Sequence, residues 1–215
     1  QNDTIYAYSA DLVLQGSGSL EISSANSSCV FGKSVHITSG EYTFNPASIY
    51  WDVCALDKIE ITGSDTVITS GANSAFGGEY CDIILNDVKF KRLNRLSSTY
   101  DGDISITNCE IESMQLIDTN GKVNITDSTV SIPDSSSAIP IYGSEGITIS
   151  GGELTVNTIA GGNAIPVYSE DGTIEINNGA KLNITSNGLA GIYAGDKVII
   201  DGNGGTVVDV NATGY

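Results

Sequence analysis

Nine times along this chain an aliphatic residue, a mostly polar one, a second aliphatic residue, a polar residue and a turn former follow in the same order. The repeats start at Leu12, Val35, Ile59, Ile83, Ile104, Val123, Ile147, Ile174 and Val198, at intervals of 23, 24, 24, 21, 19, 24, 27 and 24 residues. The second aliphatic position holds Leu14, Ile37, Ile61, Leu85, Ile106, Ile125, Ile149, Ile176 and Ile200. Alternation with a period of two describes a strand with one side inward and one outward. Return to the same phase every 19 to 27 residues marks a solenoid.

The turn position that closes each first strand holds Gly16, Ser39, Gly63, Asp87, Asn108, Asp127, Gly151, Asn178 and Gly202. These residue types tolerate left-handed backbone or satisfy turn amides with their own side chains. A second strand follows, carried by the apolar pairs Leu20/Ile22, Tyr42/Phe44, Val130/Ile132, Leu154/Val156, Leu182/Ile184 and Val208/Val210. A third, shorter one is clearest in Ala138–Tyr142, Ala164–Tyr168 and Ala190–Tyr193. Equivalent strands of successive coils run the same way, so they pair in parallel, and parallel crossovers favour a right-handed path. The expectation is an all-β, right-handed parallel β-helix of about nine coils with three short strands per coil. At about 4.8 Å per coil it would be roughly 40 Å long. Residues 1–11 form an N-terminal cap or lead-in, and 12–215 a single solenoid domain.

Against 26 Asp and Glu the chain sets 9 Lys and Arg, a net charge of −17. That repels phosphate backbones and anionic lipid, which argues against nucleic acid and membrane surfaces as partners. No apolar run approaches the roughly 20 residues that span a bilayer. Gln1 at the start and a single methionine, Met114, suggest a processed chain whose signal peptide is gone. With a surface rich in Thr and Asn, this predicts an exported, extracellular bacterial protein. Cys29 and Cys54 lie 25 residues apart, six and five residues before their next strand starts. Adjacent coils would then bring them within disulfide reach. Cys81 and Cys109 sit at other phases and read as small buried hydrophobes.

Three constellations carry candidate chemistry. Tyr142, Tyr168 and Tyr193 each precede a strand start by five or six residues, so they should stack in consecutive coils. Such a column either presents aromatic surface to sugar rings or serves as a packing ladder. Acids recur at the same corner, among them Glu145, Glu170, Asp171 and Asp196, and stacked carboxylates are candidates for bridging by calcium. The stretch from Tyr80 to Asp103 holds Lys89, Lys91, Arg92 and Arg95 among Asp82, Asp87, Asp101 and Asp103. A base beside an acidic cation site is the arrangement polysaccharide lyases use, whereas solvated charge pairs are the plainer interpretation. His36 projects outward with no nucleophile beside it in sequence.

The phrases Gly146–Val156, Gly172–Ile184 and Lys197–Gly202, preceded by Ala164-Ile165 or Gly191-Ile192, resemble the pectin-lyase-like right-handed β-helix superfamily. They are similar in particular to bacterial surface proteins with β-helical carbohydrate-binding domains. The resemblance implies a β-helix and a carbohydrate partner. Where those binding domains carry Asp-Asp-Gly-Ile with calcium on the carboxylates, this chain has Ser136-Ser137-Ala138-Ile139, Gly162-Asn163-Ala164-Ile165 and Leu189-Ala190-Gly191-Ile192. The sequence therefore predicts a non-catalytic, exported module binding glycan or another surface, with calcium its one candidate cofactor and further domains of the same protein as possible neighbours. A polysaccharide lyase or hydrolase and a structural spacer of a larger adhesin are the alternatives.

Overall fold

The computed structural model describes residues 3–46, 51–71 and 75–213. The first two residues of the 1–11 lead-in, and Gly214 and Tyr215 in the final coil, lie outside them. The described residues form an all-β, right-handed parallel solenoid. The first strands run from Leu12–Leu14 to Val198–Ile200, and the second strands from Ser19–Ser23 to Val207–Ala212. The third strands run from Ile5–Ala7 to Ile192–Ala194. Each set stacks nine deep, so the expected coil count stands close to the observed one, with eight full steps between nine rungs. Ile5–Ala7 pairs with Val30–Gly32, so part of the 1–11 lead-in already belongs to the first rung.

Rungs are joined by in-register hydrogen bonds: Ile83 N donates to Asp103 O at 2.8 Å and Ile174 N to Lys197 O at 2.9 Å. Inward positions of the first sheet stack Val35, Ile59, Ile83, Ile104, Val123, Ile147 and Ile174 directly above one another, all but fully buried. Each such side chain contributes about 1.5–3 kcal/mol relative to exposure. In the second and third sheets Phe44, Phe76 and Phe90 meet edge to face at 5.6 and 6.1 Å. The unequal intervals of the repeat are absorbed by the second strand and the corner after it. The 19-residue coil reduces that strand to Glu110–Ile111, whereas the 27-residue coil stretches it to Glu153–Gly161. At this corner the buried hydroxyls of Ser135, Thr158 and Ser186 stack in register. Thr158 Oγ1 donates to Ser137 O at 2.8 Å, and Ser186 Oγ accepts from Gly188 N at 2.9 Å. These three hydroxyls are thus satisfied inside the prism, where an unpaired one is costly.

The turn column behaves as its residue types require. Asp87, Asn108, Asp127 and Asn178 have φ of 56°, 51°, 46° and 54°, and Gly151 has 68°. Two expected boundaries shift. The late third strands begin at Ile141, Val167 and Ile192, not at the preceding Ala. Pro140 and Pro166 lack an amide to donate, but their carbonyls still accept from Ile117 N and Ile141 N. In the early coils the third and first strands fuse into Val30–Ile37 and Val53–Thr62.

The expected Cys29–Cys54 disulfide is corrected by this register. Cys54 lies five residues before Ile59 whereas Cys29 lies six before Val35, and a bulge between Ala55 and Lys58 adds one more residue to this offset, so Cys54 stacks on Phe31, two residues from Cys29. Cys29 sits one residue before Val30, the partner of Val53, and its thiol donates to Ile22 O at 3.2 Å. All four cysteines are free. Burial pushes the Cys54 and Cys81 thiols up to about 12 and Cys29 up to about 11.

Two outcomes test this description. Asn108→Val, which forces a β-branched residue into left-handed backbone, should lower unfolding free energy by about 1–2 kcal/mol in urea titrations, and Asn108→Gly should be close to neutral. Since the thiolate is the species that reacts, the folded protein should resist iodoacetamide at pH 8. The unfolded chain should take up four labels by mass spectrometry without prior reduction; uptake of two would restore a disulfide.

Candidate functional site

The three tyrosines do stack. Tyr142, Tyr168 and Tyr193 are register partners on the outer side of the third sheet. Their ring centroids are 5.7 and 5.2 Å apart, with planes within 16° and 22°. The column continues toward the N-terminus through Asp118, Ser97, Gly77, Cys54, Phe31 and Tyr6. Because each ring faces the next, the stacked faces are covered and mainly edges and hydroxyls are offered to solvent. A sugar needs an open face to stack on, and in this ladder only the two end faces, that of Tyr193 and that of Tyr142 toward the Asp118 rung, are not against another tyrosine. Tyr142 OH donates to Glu170 Oε2 at 2.8 Å. Burial, reinforced by Glu170, raises the Tyr142 phenol above its ordinary value.

The four acids proposed as calcium ligands are not brought to a common point. Glu145 and Asp196 share a column, but they are two rungs apart with Gly172 between them. That spacing is about 10 Å, far from the 2.3–2.6 Å ligand shell of calcium. Glu170 is engaged by Tyr142, and Asp196 Oδ2 accepts from Thr173 Oγ1 at 2.6 Å. Asp171 lies one residue ahead of Gly172, and both their amides donate to Ser144 O. Among the described residues no three acid, His or Cys groups are arranged to hold a metal ion.

The basic stretch is dispersed over all three sets of strands. Lys89 pairs with Glu110 at 3.1 Å and Glu112 at 3.0 Å on the second sheet. Arg95 pairs with Asp118 at 2.6 Å on the third. Asp82 and Asp103 flank the first, where Asp82 Oδ1 accepts from Asp103 N and Asp103 Oδ1 from Lys122 N. These carboxylates are occupied with backbone amides of the next rung. His36 points outward as expected and meets Glu60 Oε2 at 3.0 Å, an oxygen shared with Lys58 Nζ at 3.0 Å. Lys58, with a smaller effect of His36, holds the Glu60 carboxyl below its usual range.

A concave feature emerges where sequence reading placed none. Between the acid corner and the first sheet runs a shallow trough of about 370 Å³, lined by Lys122, Asn124, Glu145, Thr148, Thr173, Glu175 and Asp196 around Gly146 and Gly172. Asn124, Thr148 and Glu175 are successive register partners, as are Lys122, Gly146 and Thr173. Gly146, at φ 143°, leaves its place in the second row without a side chain. At Gly172 a Cβ would run into the Glu145 and Gly146 backbone. The signal was present in the sequence as glycine at outward positions of the repeat, but its meaning depends on which residues stand on the rungs above and below. Sequence reading also passed over Tyr80 and Tyr100. Their rings stack at 4.7 Å with both side chains well exposed.

The polar rim of the trough is open to solvent, so Thr148→Cys should react with a maleimide within minutes at pH 7.5, whereas Ile149→Cys, one residue away and buried, should not.

No protein-family model, no curated protein and no solved structure matches this chain.

Proposed function

We propose that this chain is a non-catalytic β-helix module of an exported surface protein, and that it binds a glycan laid along the solenoid in the glycine-floored trough. The single observation that carries this reading is the row Asn124, Thr148 and Glu175 beside Lys122, Thr173 and Asp196. It offers amide, hydroxyl, carboxylate and ammonium groups at rung spacing on a rigid floor, a set of donors and acceptors suited to sugar hydroxyls. The net charge of −17 favours a neutral or amino-bearing polymer over a polyanion. The likeness of the repeat phrases to pectin-lyase-like β-helices and their carbohydrate-binding relatives supports a glycan partner by analogy of fold alone. The tyrosine column acts beside the trough as a stiffening ladder whose Tyr142 hydroxyl orders Glu170.

A second reading, a structural spacer within a larger adhesin, is favoured by that same ladder, since rings that cover one another stabilise a rod and leave little aromatic face for a ligand. The lyase or hydrolase reading draws less support, because the Asp82 to Asp103 carboxylates are held by backbone amides of neighbouring rungs.

A glycan array run with calcium and with chelator separates these. A saturable hit is expected, unchanged by chelation. Thr148→Arg, which fills the trough, should weaken binding at least tenfold, equivalent to about 1.4 kcal/mol, and Tyr168→Ala should leave it nearly intact. Loss on Tyr168→Ala alone would move the site to the tyrosine column, absence of any hit would favour the spacer, and release of new reducing ends from the bound polymer would overturn the non-catalytic reading.

A further inference from the structure

The corner that joins each third strand to the following first strand varies in length from rung to rung. It takes three residues at 79–81, five at 99–103, two at 120–121, two at 144–145 and three at 170–172. The longest of these is followed directly by the two shortest. Asn120 Nδ2 reaches back to Thr99 O at 2.9 Å, and Gly121 lies so close over Gly102 that a Cβ would meet its carbonyl oxygen. Asn120 and Gly121 thus pass straight from Thr99 to Gly102. Tyr100 and Asp101, between those two, have no counterpart on the next rung and stand out beyond it.

Tyr100 is supported from the rung before. Its amide donates to Glu79 O at 2.7 Å, and its ring stacks on Tyr80 at 4.7 Å with planes within 23°. One ring face is covered in this way. The other looks along the solenoid over the two short corners, and among the described residues Tyr80 is the one ring in contact with Tyr100. The corner lengthens again at 170–172, three rung steps or about 14 Å from Tyr100. Between the two longer corners lies a saddle. The trough opens from it, since Lys122, Glu145 and Gly172 belong to both.

We propose that saddle and trough form one site for a glycan of amino sugars carrying free amines, with one sugar ring stacked on the open face of Tyr100. This rests on the glycan reading of the trough and names the class of sugar. The open ring face suits the apolar C–H side of a pyranose, and the same face attracts an ammonium. Asp101, Glu145 and Asp171 are exposed, and among the described residues none of them is in an ion pair. With Glu175 they set four carboxylates against the one ammonium of Lys122. A polymer with a positive charge on each residue is drawn to such a surface, whereas a neutral one is not. N-acetylation of the amine removes that charge and leaves the sugar ring.

The test is titration calorimetry of the chain with a glucosamine hexamer, at a pH where its amines are charged, and with the fully N-acetylated hexamer. The glucosamine hexamer should bind at least tenfold more tightly. Tyr100→Ala should weaken its binding at least fivefold, and Tyr100→Phe, which keeps the ring, should not. Glu145→Gln combined with Asp171→Asn should weaken it by a similar factor, whereas Glu41→Gln, on the second sheet, should leave it unchanged. Circular dichroism checks the fold of each variant. Equal affinity for the two hexamers, lost on Thr148→Arg, overturns this assignment and keeps the trough as the site of another glycan. Affinity that ignores both Tyr100→Ala and the paired acid substitutions is diffuse attraction to an acidic surface and overturns it as well. Failure of every glycan on the array removes the trough reading and this one together.

Discussion

Everything in this molecule depends on parallel backbone pairing of each rung with the next in the same register. A strand in such a stack has no freedom to choose its own partners. Residue on residue, Ile83 must stand over Ile59 and Ile104 over Ile83, and the inward positions of the first strands are aliphatic in every rung because a polar side chain buried there without a partner is costly. The hydroxyls of Ser135, Thr158 and Ser186 enter the interior where corner carbonyls and amides meet them. The burial of dozens of aliphatic side chains and the pairing of the backbone are therefore one constraint seen twice.

The same constraint organises the outside. Outward residues also stack, so like charges would repel along a column unless something intervenes. The chain alternates signs where it can, with Lys33 over Asp57, His36 over Glu60 and Lys89 over Glu110. Elsewhere it breaks an acidic column with glycine, as Gly172 does between Glu145 and Asp196. At Gly172 the backbone of Glu145 and Gly146 fills the place a Cβ would take. The trough runs beside this break, where Gly146 leaves its place between Lys122 and Thr173 without a side chain.

Aromatic residues follow the rule with a different result. Three tyrosines in consecutive rungs are placed at the right distance to stack on one another. The interaction that makes the column stable also covers the ring faces that a ligand would use. Stiffness and recognition compete for the same surface here, and in Tyr142, Tyr168 and Tyr193 stiffness prevails. The recognition proposed above falls to the polar rows beside them.

The sequence by itself determined the architecture, because a solenoid writes its core as a period: the Leu12 to Val198 starts, the alternation behind them and the left-handed turn residues Asp87, Asn108, Asp127 and Asn178 all follow from local chemistry repeated in phase. It also placed the tyrosines in one column. What only the tertiary structure decided is everything that depends on a one-residue offset. The bulge between Ala55 and Lys58 moved Cys54 from the rung position of Val30 onto Phe31, a further residue away from Cys29. The extra residue in the coil holding Glu170 and Asp171 took those acids out of line with Glu145. The trough beside them depends on two outward glycines falling among particular polar side chains of other rungs. Side chains on adjacent rungs are about 4.8 Å apart in register, and a shift of a single residue turns a side chain to the other face of the strand. The period of a repeat does not record such shifts; the pairing of the rungs does.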